Sequence, residues 1–174
     1  SASTTNLADR VQNSTQRALA AIGDPLGMGE IGCFCPPSTS VVSGTDPRSG
    51  KPYVNQLFLG HTAGGAVAYQ DAWLTMLHAG NGGMCFIDSV ELDEVYTPIV
   101  VKTRRLIKDS EGAGRYRGAP GIEVELGPVN CRMEAGFVAD GNINVPKGAR
   151  GGGNAAKSDQ FRRKRNGKLE RLDQ

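Results

Sequence analysis

Four cysteines are the side chains of this chain with the clearest metal-binding chemistry. Cys33 and Cys35 are separated by one residue, and two thiolates at this spacing can begin a zinc or other soft-metal site. Cys85 and Cys131 do not form a second close pair. Because a structural zinc site typically combines two close pairs, we interpret the four residues as buried thiols and predict no metal site in this chain.

The two histidines, His61 and His78, are the only imidazole groups that could act as a general base. His78 lies in a glycine-rich stretch, and an acidic cluster follows it, with the members Asp88, Glu91, Asp93 and Glu94. If residues 88–96 are helical, Glu91 and Glu94 share one helix face. The candidate catalytic residues are therefore His78 and Glu91, whereas the simpler interpretation is a set of acids that stabilises a helix N-terminus.

Other motifs suggest chemistry that their surroundings do not support. Residues 151–153 and Asn154 have the composition of a phosphate-binding loop, but they lack the Gly-Lys-Ser/Thr ending of a P-loop and the frame of a dinucleotide fold. The basic run 162–165 has no aromatic platform for stacking bases, so we expect a solvated end or contacts to an acidic partner rather than nucleic acid. Ser1 could be an N-terminal nucleophile, but its polar, helix-leading context argues against that role.

The composition describes a globular chain with unusually many turns. It contains 24 glycines in 174 residues, which is 14% against a usual share of about 7%, and only ten aromatic residues. A hydrophobic content of 39% is too high for a disordered chain, and no apolar run approaches the roughly 18 residues that cross a bilayer. The core must therefore depend on aliphatic side chains, and we expect no membrane partner.

The charge and the cysteine content bear on partners and compartment. The net charge is +2, and residues 157–174 alone carry +4. Basicity is thus a property of the C-terminal tail. Four cysteines without a secretory signal favour reduced thiols and a cytoplasmic location.

The first sixty residues predict a helix and then a long irregular segment. Residues 7–22 show helical spacing of apolar side chains, although Ser14 and Thr15 interrupt the stripe, so this helix needs a partner surface. Residues 24–60 are rich in Gly and Pro, with short strands predicted only near 40–43 and 53–59. We interpret this stretch as a segment that wraps around another subunit or domain.

The second half predicts β structure. Strand patterns occur at 97–107, 121–126 and 131–139, which we expect to form one sheet of at least three strands, and an Asn-Gly turn near the C-terminus predicts a surface hairpin or a short extension. The predicted fold class is α+β, with an N-terminal helix, a wrapping segment and a mainly antiparallel β region. The predicted domains are 1–60 for the helix and wrapping segment, 61–156 for the glycine-rich β region and 157–174 for the basic tail.

The stretch KDSEGAGRYRGAPG, residues 108–121, carries a pattern that no generic turn requires, and we call it the signature loop. It resembles a signature of the hydantoinase B/oxoprolinase family, which also includes the large subunits of acetone and acetophenone carboxylases. The matching residues are Asp109, Ser110, Gly112, Gly114, Tyr116, Arg117, Gly118 and Gly121. The sequence departs from the family pattern at Glu111 and Ala119, where glycine is usual.

The resemblance extends in both directions along the chain. Upstream, Asp71 matches an aspartate of the family, and Glu91, Glu94 and Pro98 are in register with its short acidic segment. Downstream, GARGGGNAAKSDQF is similar to its glycine-rich C-terminal segment. The similarity covers most of this chain and about the final third of a usual B subunit.

The resemblance implies a function within a complex. It implies that the chain is the C-terminal part of a B-type subunit in a multisubunit ATP-dependent enzyme that hydrolyses a cyclic amide. One alternative is a subunit of an ATP-dependent, biotin-independent ketone carboxylase, and another is a non-catalytic scaffold subunit. The implied partners are an A-type ATP-handling subunit, the rest of the B-type subunit and a small-molecule substrate, with ATP and a divalent metal bound by partner subunits. We expect Asp109 and Arg117 to order the signature loop and Arg115 to face solvent or a partner.

Overall fold

A computed structural model of the chain describes residues 4–32, 40–60, 63–73, 87–137 and 141–172. Its helices are α1 (Thr4–Ile22) and α2 (Val90–Tyr96). Its strands are β1 (Ser40–Thr45), β2 (Pro52–Leu57), β3 (Ile99–Leu106), β4 (Ile122–Pro128), β5 (Met133–Phe137), β6 (Phe161–Arg163) and β7 (Leu169–Arg171). The described strands all pair antiparallel, so the α+β class predicted from the sequence is confirmed.

The strands form three separate sheets rather than one. The order β2-β1-β5 makes a three-stranded sheet in which Val42 lies opposite Asn55 and Ala135. Strands β3 and β4 pair with each other, with a register shift between Val101 and Thr103. The prediction of one sheet from the three later strands is therefore wrong, because β5 pairs with β1. Alternation of apolar and polar residues indicates that a strand is half-buried, but not which strand it pairs with.

The main core lies between the three-stranded sheet and the β3-β4 pair. Val42, Leu57, Leu59 and Ile99 are buried there, and Val124 is one of the side chains packed against them. The strands expected near 40–43 and 53–59 are confirmed. Because they supply most of this core, the latter half of the expected wrapping segment packs within this chain.

Helix α1 is attached through a polar contact. Asn13 is buried, and its side-chain amide donates to the Ile31 carbonyl and accepts from the Ile31 amide, both at 3.0 Å. The apolar side chains of Leu7, Val11 and Ile22 are exposed. The helix forms where the spacing predicts it, beginning at Thr4, but its apolar stripe faces away from the described part of the chain.

The basic run near the C-terminus is paired with acids of the same chain. Strands β6 and β7 form the hairpin that the Asn-Gly turn predicts. Arg162 and Lys164 pair with Glu170, at 2.7 and 2.9 Å, and Arg163 pairs with Glu125 of β4 at 2.7 Å. These cations stabilise the hairpin and its contact with the β3-β4 sheet.

No helix within the described residues is long and apolar enough to cross a membrane.

Candidate functional site

Four backbone segments enclose a cleft of about 360 Å³. They are the loop that follows α1, the glycine-rich stretch 63–68, the signature loop and residues 146–155, which we call the second glycine loop. These segments are separated in the sequence, and all four are rich in glycine. The cleft is therefore lined largely by backbone, which lets a ligand or a neighbouring chain approach closely.

The hydroxyl of Ser110 joins the two ends of the signature loop. Its Oγ donates to the Ile107 carbonyl at 2.7 Å and accepts from the Gly121 amide at 2.7 Å. Inside the loop, the Gly118 amide donates to the Gly112 carbonyl at 3.0 Å. Ser110 is buried. The signature serine therefore holds the loop closed and does not act as an exposed nucleophile.

The signature loop packs directly on the second glycine loop. The Gly153 amide donates to the Ala113 carbonyl at 2.7 Å, and the Ala156 amide donates to the Ser110 carbonyl at 2.9 Å. A Cβ atom at Gly112 would lie within 3.0 Å of the Gly153 carbonyl oxygen, which real Cβ atoms essentially never show. This wall of the cleft therefore requires glycine at position 112 because two backbones meet there.

A third segment, residues 63–73, contacts the opposite side of the signature loop. The Ala119 amide donates to the Gly64 carbonyl at 3.0 Å, and the Arg117 amide donates to Asp71 Oδ1 at 2.8 Å. The Arg117 guanidinium lies 3.6 Å from the other oxygen of Asp71. Arg117 thus helps to position the loop mainly through its backbone. Asp109 is exposed and has a φ of 57°, so it marks a left-handed turn at the start of the loop.

The loop after α1 is tied to the second glycine loop by two charged residues. Glu30 Oε1 pairs with Arg17 at 3.0 Å, and Glu30 Oε2 accepts from the Lys147 amide at 2.9 Å. The Glu30 amide donates to the Lys147 carbonyl at 3.0 Å. Arg150 donates to the Ala20 and Leu26 carbonyls, both at 3.1 Å, and so satisfies acceptors near the end of α1.

The predicted histidine site falls outside the residues that the structure describes. His78 and His61 lie outside the described residues, as do Cys33, Cys35 and Cys85. Among the described residues there is no group of three His, Cys, Asp or Glu side chains that could hold a metal ion. The catalytic role of His78 stays a prediction.

Glu91 lies in the first turn of α2 and is not among the residues that line the cleft. Its carboxylate accepts a hydrogen bond from the Ser89 hydroxyl at 2.7 Å, and this bond lowers the pKa of Glu91. Glu94 Oε1 instead accepts from the Val101 amide at 2.8 Å. The two glutamates therefore have separate structural contacts, and the proposed catalytic role of Glu91 stays a prediction.

Asp93 is a buried acid that the sequence interpretation did not single out within its cluster. Its side chain is 7% exposed, and its Oδ2 has no hydrogen-bond partner among the described residues. Burial, followed by the nearby Asp88 charge, raises the pKa of Asp93 to about 6, while Arg104 and Asn55 oppose the shift. Hydropathy patterns do not reveal such a residue, because an acid in the first turn of a helix is usually exposed.

Lys147 is the cleft residue that sequence reasoning missed. The available signal was its position four residues before the start of the glycine run at 151–153 and one residue before Gly148. In the structure Lys147 lines the cleft, as does Arg115 of the signature loop. The sequence shows that Arg115 and Lys147 are present, but it does not show that they line the same cleft.

Comparisons with known proteins connect this arrangement to a family. The family model described as hydantoinase B/oxoprolinase matches residues 1–174. The beta subunit of a caprolactamase from Pseudomonas jessenii is 30% identical over 115 residues, which is 65% of this chain and 20% of that subunit. A nucleotide-free acetone carboxylase structure matches with a TM-score of 0.63 and 24% identity, covering 76% of this chain and 17% of that one. The matched part thus spans about a fifth of either relative, and the acetone carboxylase likeness is one of fold.

Proposed function

This chain belongs to the hydantoinase B/oxoprolinase family, and from that membership we propose that it is the C-terminal part of a B-type subunit in a multisubunit ATP-dependent cyclic amide hydrolase. The observation that carries the proposal is the family match over the whole chain. The caprolactamase subunit supports the choice of reaction, because caprolactam is a cyclic amide. The cleft supports a binding role, since the signature loop forms one of its walls.

The proposed chemistry begins when the ATP-handling subunit transfers the γ-phosphoryl group to the amide oxygen of the substrate. Water then adds to the activated carbon, the C–N bond breaks and phosphate leaves, which gives an amino acid, ADP and phosphate. ATP and the divalent metal belong to the partner subunits in this scheme. The contribution of this chain is to shape the cleft and to supply donors and cations along its backbone-lined wall.

A ketone carboxylase subunit is the second candidate, and the fold likeness to acetone carboxylase favours it. In that reaction the phosphoryl group would activate the enol oxygen of a ketone before carboxylation. The third candidate is a non-catalytic subunit that only holds larger subunits together. Substitution of His78 and Glu91 distinguishes a catalytic role of this chain from a purely structural one.

The test is to isolate the native complex through a tag on this chain and weigh its subunits. The proposal expects an A-type subunit, the rest of the B-type subunit and ATP-dependent opening of a lactam or hydantoin. Bicarbonate-dependent consumption of a ketone would instead identify a carboxylase. A monodisperse monomer that captures no larger partner would overturn the proposal.

Variants then test the two candidate residues within the assembled complex. We expect His78→Ala and Glu91→Ala to abolish turnover while the complex still assembles. The matched controls are His61→Ala and Glu134→Ala, the latter at an exposed glutamate on β5. Unchanged turnover in both candidate variants would favour the scaffold role.

A further inference from the structure

We propose that the cleft binds a small anionic group, a phosphate or a carboxylate, between Arg115 of the signature loop and Lys147 of the second glycine loop. This inference deepens the proposed function and uses the same cleft. The charges and hydrogen-bond donors of the cleft walls would attract such an anion whatever reaction the complex carries out.

The two acids that line the cleft are already neutralised by cations of this chain. Asp24 Oδ1 lies 2.9 Å from Arg150 Nε, and Glu30 Oε1 lies 3.0 Å from an Arg17 nitrogen. Glu30 Oε2 also accepts the Lys147 amide. Each carboxylate is therefore already paired with a cation other than Arg115 and Lys147.

The two remaining charged side chains of the lining are both cationic. Arg115 and Lys147 form no ion pair with any residue that the structure describes, and no other charged lining residue is left to balance them. Two unneutralised positive charges in a partly enclosed space attract an anion more strongly than the same charges on an open surface.

Both cations extend from restrained positions. The Arg115 guanidinium lies 5.5 Å from the centroid of the Tyr116 ring, within the range of a cation–π contact. The Lys147 backbone is held by Glu30 through both its amide and its carbonyl. A restrained donor loses less conformational entropy when it binds a ligand than a freely moving one.

The glycine-rich walls add backbone donors to these charges. The amides of Gly114, Arg115 and Tyr116 make no hydrogen bond to the described part of the chain, and the same holds for Arg150 and Gly151. Unpaired amides of glycine-rich turns are good donors to phosphate and carboxylate oxygens. Cationic side chains and free amides along one cleft match an anion that presents two or more oxygens.

The experiment is a titration of the full 174-residue chain with sodium phosphate and, separately, sodium acetate at constant ionic strength. Amide chemical shifts report the binding site and the affinity. We expect saturable binding with shifts concentrated in the signature loop and the second glycine loop. Preference for phosphate would point to a phosphorylated ligand, and preference for acetate to a substrate carboxylate.

Neutral variants test the two cations. Arg115→Gln and Lys147→Gln should each weaken binding roughly five- to tenfold, which is the range for one charge-assisted hydrogen bond near a surface. The matched controls are Lys51→Gln and Arg132→Gln, at exposed cations outside the cleft that have no ion pair with a described residue. They should change the affinity less than twofold.

Two outcomes would overturn the inference. One is the absence of saturable binding by either anion. The other is an equal loss of anion affinity in the cleft variants and in the control variants. Because the titration needs neither ATP nor a partner subunit, its failure is distinguishable from a failure of the complex to assemble or turn over.

Discussion

A matched pair of glycine-to-alanine substitutions tests whether the signature loop is built as the structure indicates. Gly112 and Gly121 both belong to the signature, and neither has a left-handed φ that would strain alanine. At Gly112 the new Cβ would meet the Gly153 carbonyl closer than 3.0 Å. At Gly121 the nearest atom would be Ser110 Oγ at 3.5 Å, an ordinary contact.

The expected changes in stability follow from the different room that a Cβ atom has at the two positions. Gly112→Ala must push the second glycine loop away from the signature loop, and overpacking of this kind costs about 1–3 kcal/mol. For a chain of this length each kcal/mol corresponds to roughly 2–4 °C in Tm, so we expect a loss of about 2–12 °C. Gly121→Ala should leave stability unchanged or raise it by up to about 1 kcal/mol, because alanine reduces the entropy of the unfolded chain.

The assay is thermal and urea unfolding of both variants beside the unsubstituted chain, followed by the phosphate titration. Gly112→Ala should also weaken anion binding, since it moves apart two walls of the cleft, whereas Gly121→Ala should not. Equal stability losses in the two variants would show that the close approach at Gly112 is absent. A stable Gly112→Ala variant would refute the reasoning directly.

Three further substitutions test other parts of the structure. Ser110→Ala should lower the free energy of unfolding by about 1–3 kcal/mol, because the Ile107 carbonyl and the Gly121 amide, both in partly buried hydrogen bonds, lose their partner, while Ser14→Ala on the exposed face of α1 should cost less than about 0.5 kcal/mol; urea unfolding measures both. The pKa of Asp93 is raised from 3.8 to about 6 in the folded state. Between these two pH values the folded protein binds more protons than the unfolded chain. The free energy of unfolding therefore falls as the pH rises from about 4 to about 6. Asp93→Asn should therefore stabilise the protein by up to about 3 kcal/mol at pH 8 and by much less at pH 4, and a gain independent of pH would contradict this explanation. Arg163→Ala should lower Tm only slightly, because its ion pair with Glu125 is solvent-exposed, and the loss should shrink in high salt.

Local sequence patterns predicted where the helices and strands form better than they predicted how these elements pack together. The spacing of residues 7–22 predicts a helix, and α1 is a helix, but its burial depends on Asn13 rather than on the apolar stripe. Helical periodicity identifies the apolar face of a helix, and it assumes that this face turns inward. The buried residues of α1 are instead Asn13 and Ala20, and the backbone contacts of the Asn13 amide leave no periodic signal in the sequence.

The candidate site was predictable only in part for a similar reason. The signature loop is visible because its glycines and arginines lie within ten residues of sequence, at 112–121, whereas the contact between Glu30 and Lys147 joins residues 117 positions apart. Ser110 was visible as a motif residue, but its role depends on the return of the chain at Gly121. Long-range contacts of backbone with backbone leave almost no trace in composition, because any residue can provide them.

The two departures from the family signature show which glycines the cleft needs. Glu111 and Ala119 replace glycine, yet neither has a left-handed φ. Ala119 is buried and its amide still bonds to the Gly64 carbonyl, so a methyl group fits where glycine is usual in the family. Gly112 lies between these positions, against the Gly153 carbonyl, and has no room for a side chain. The substitutions therefore fall where the backbone permits a Cβ, and the wall of the cleft that depends on close backbone contact retains its glycine.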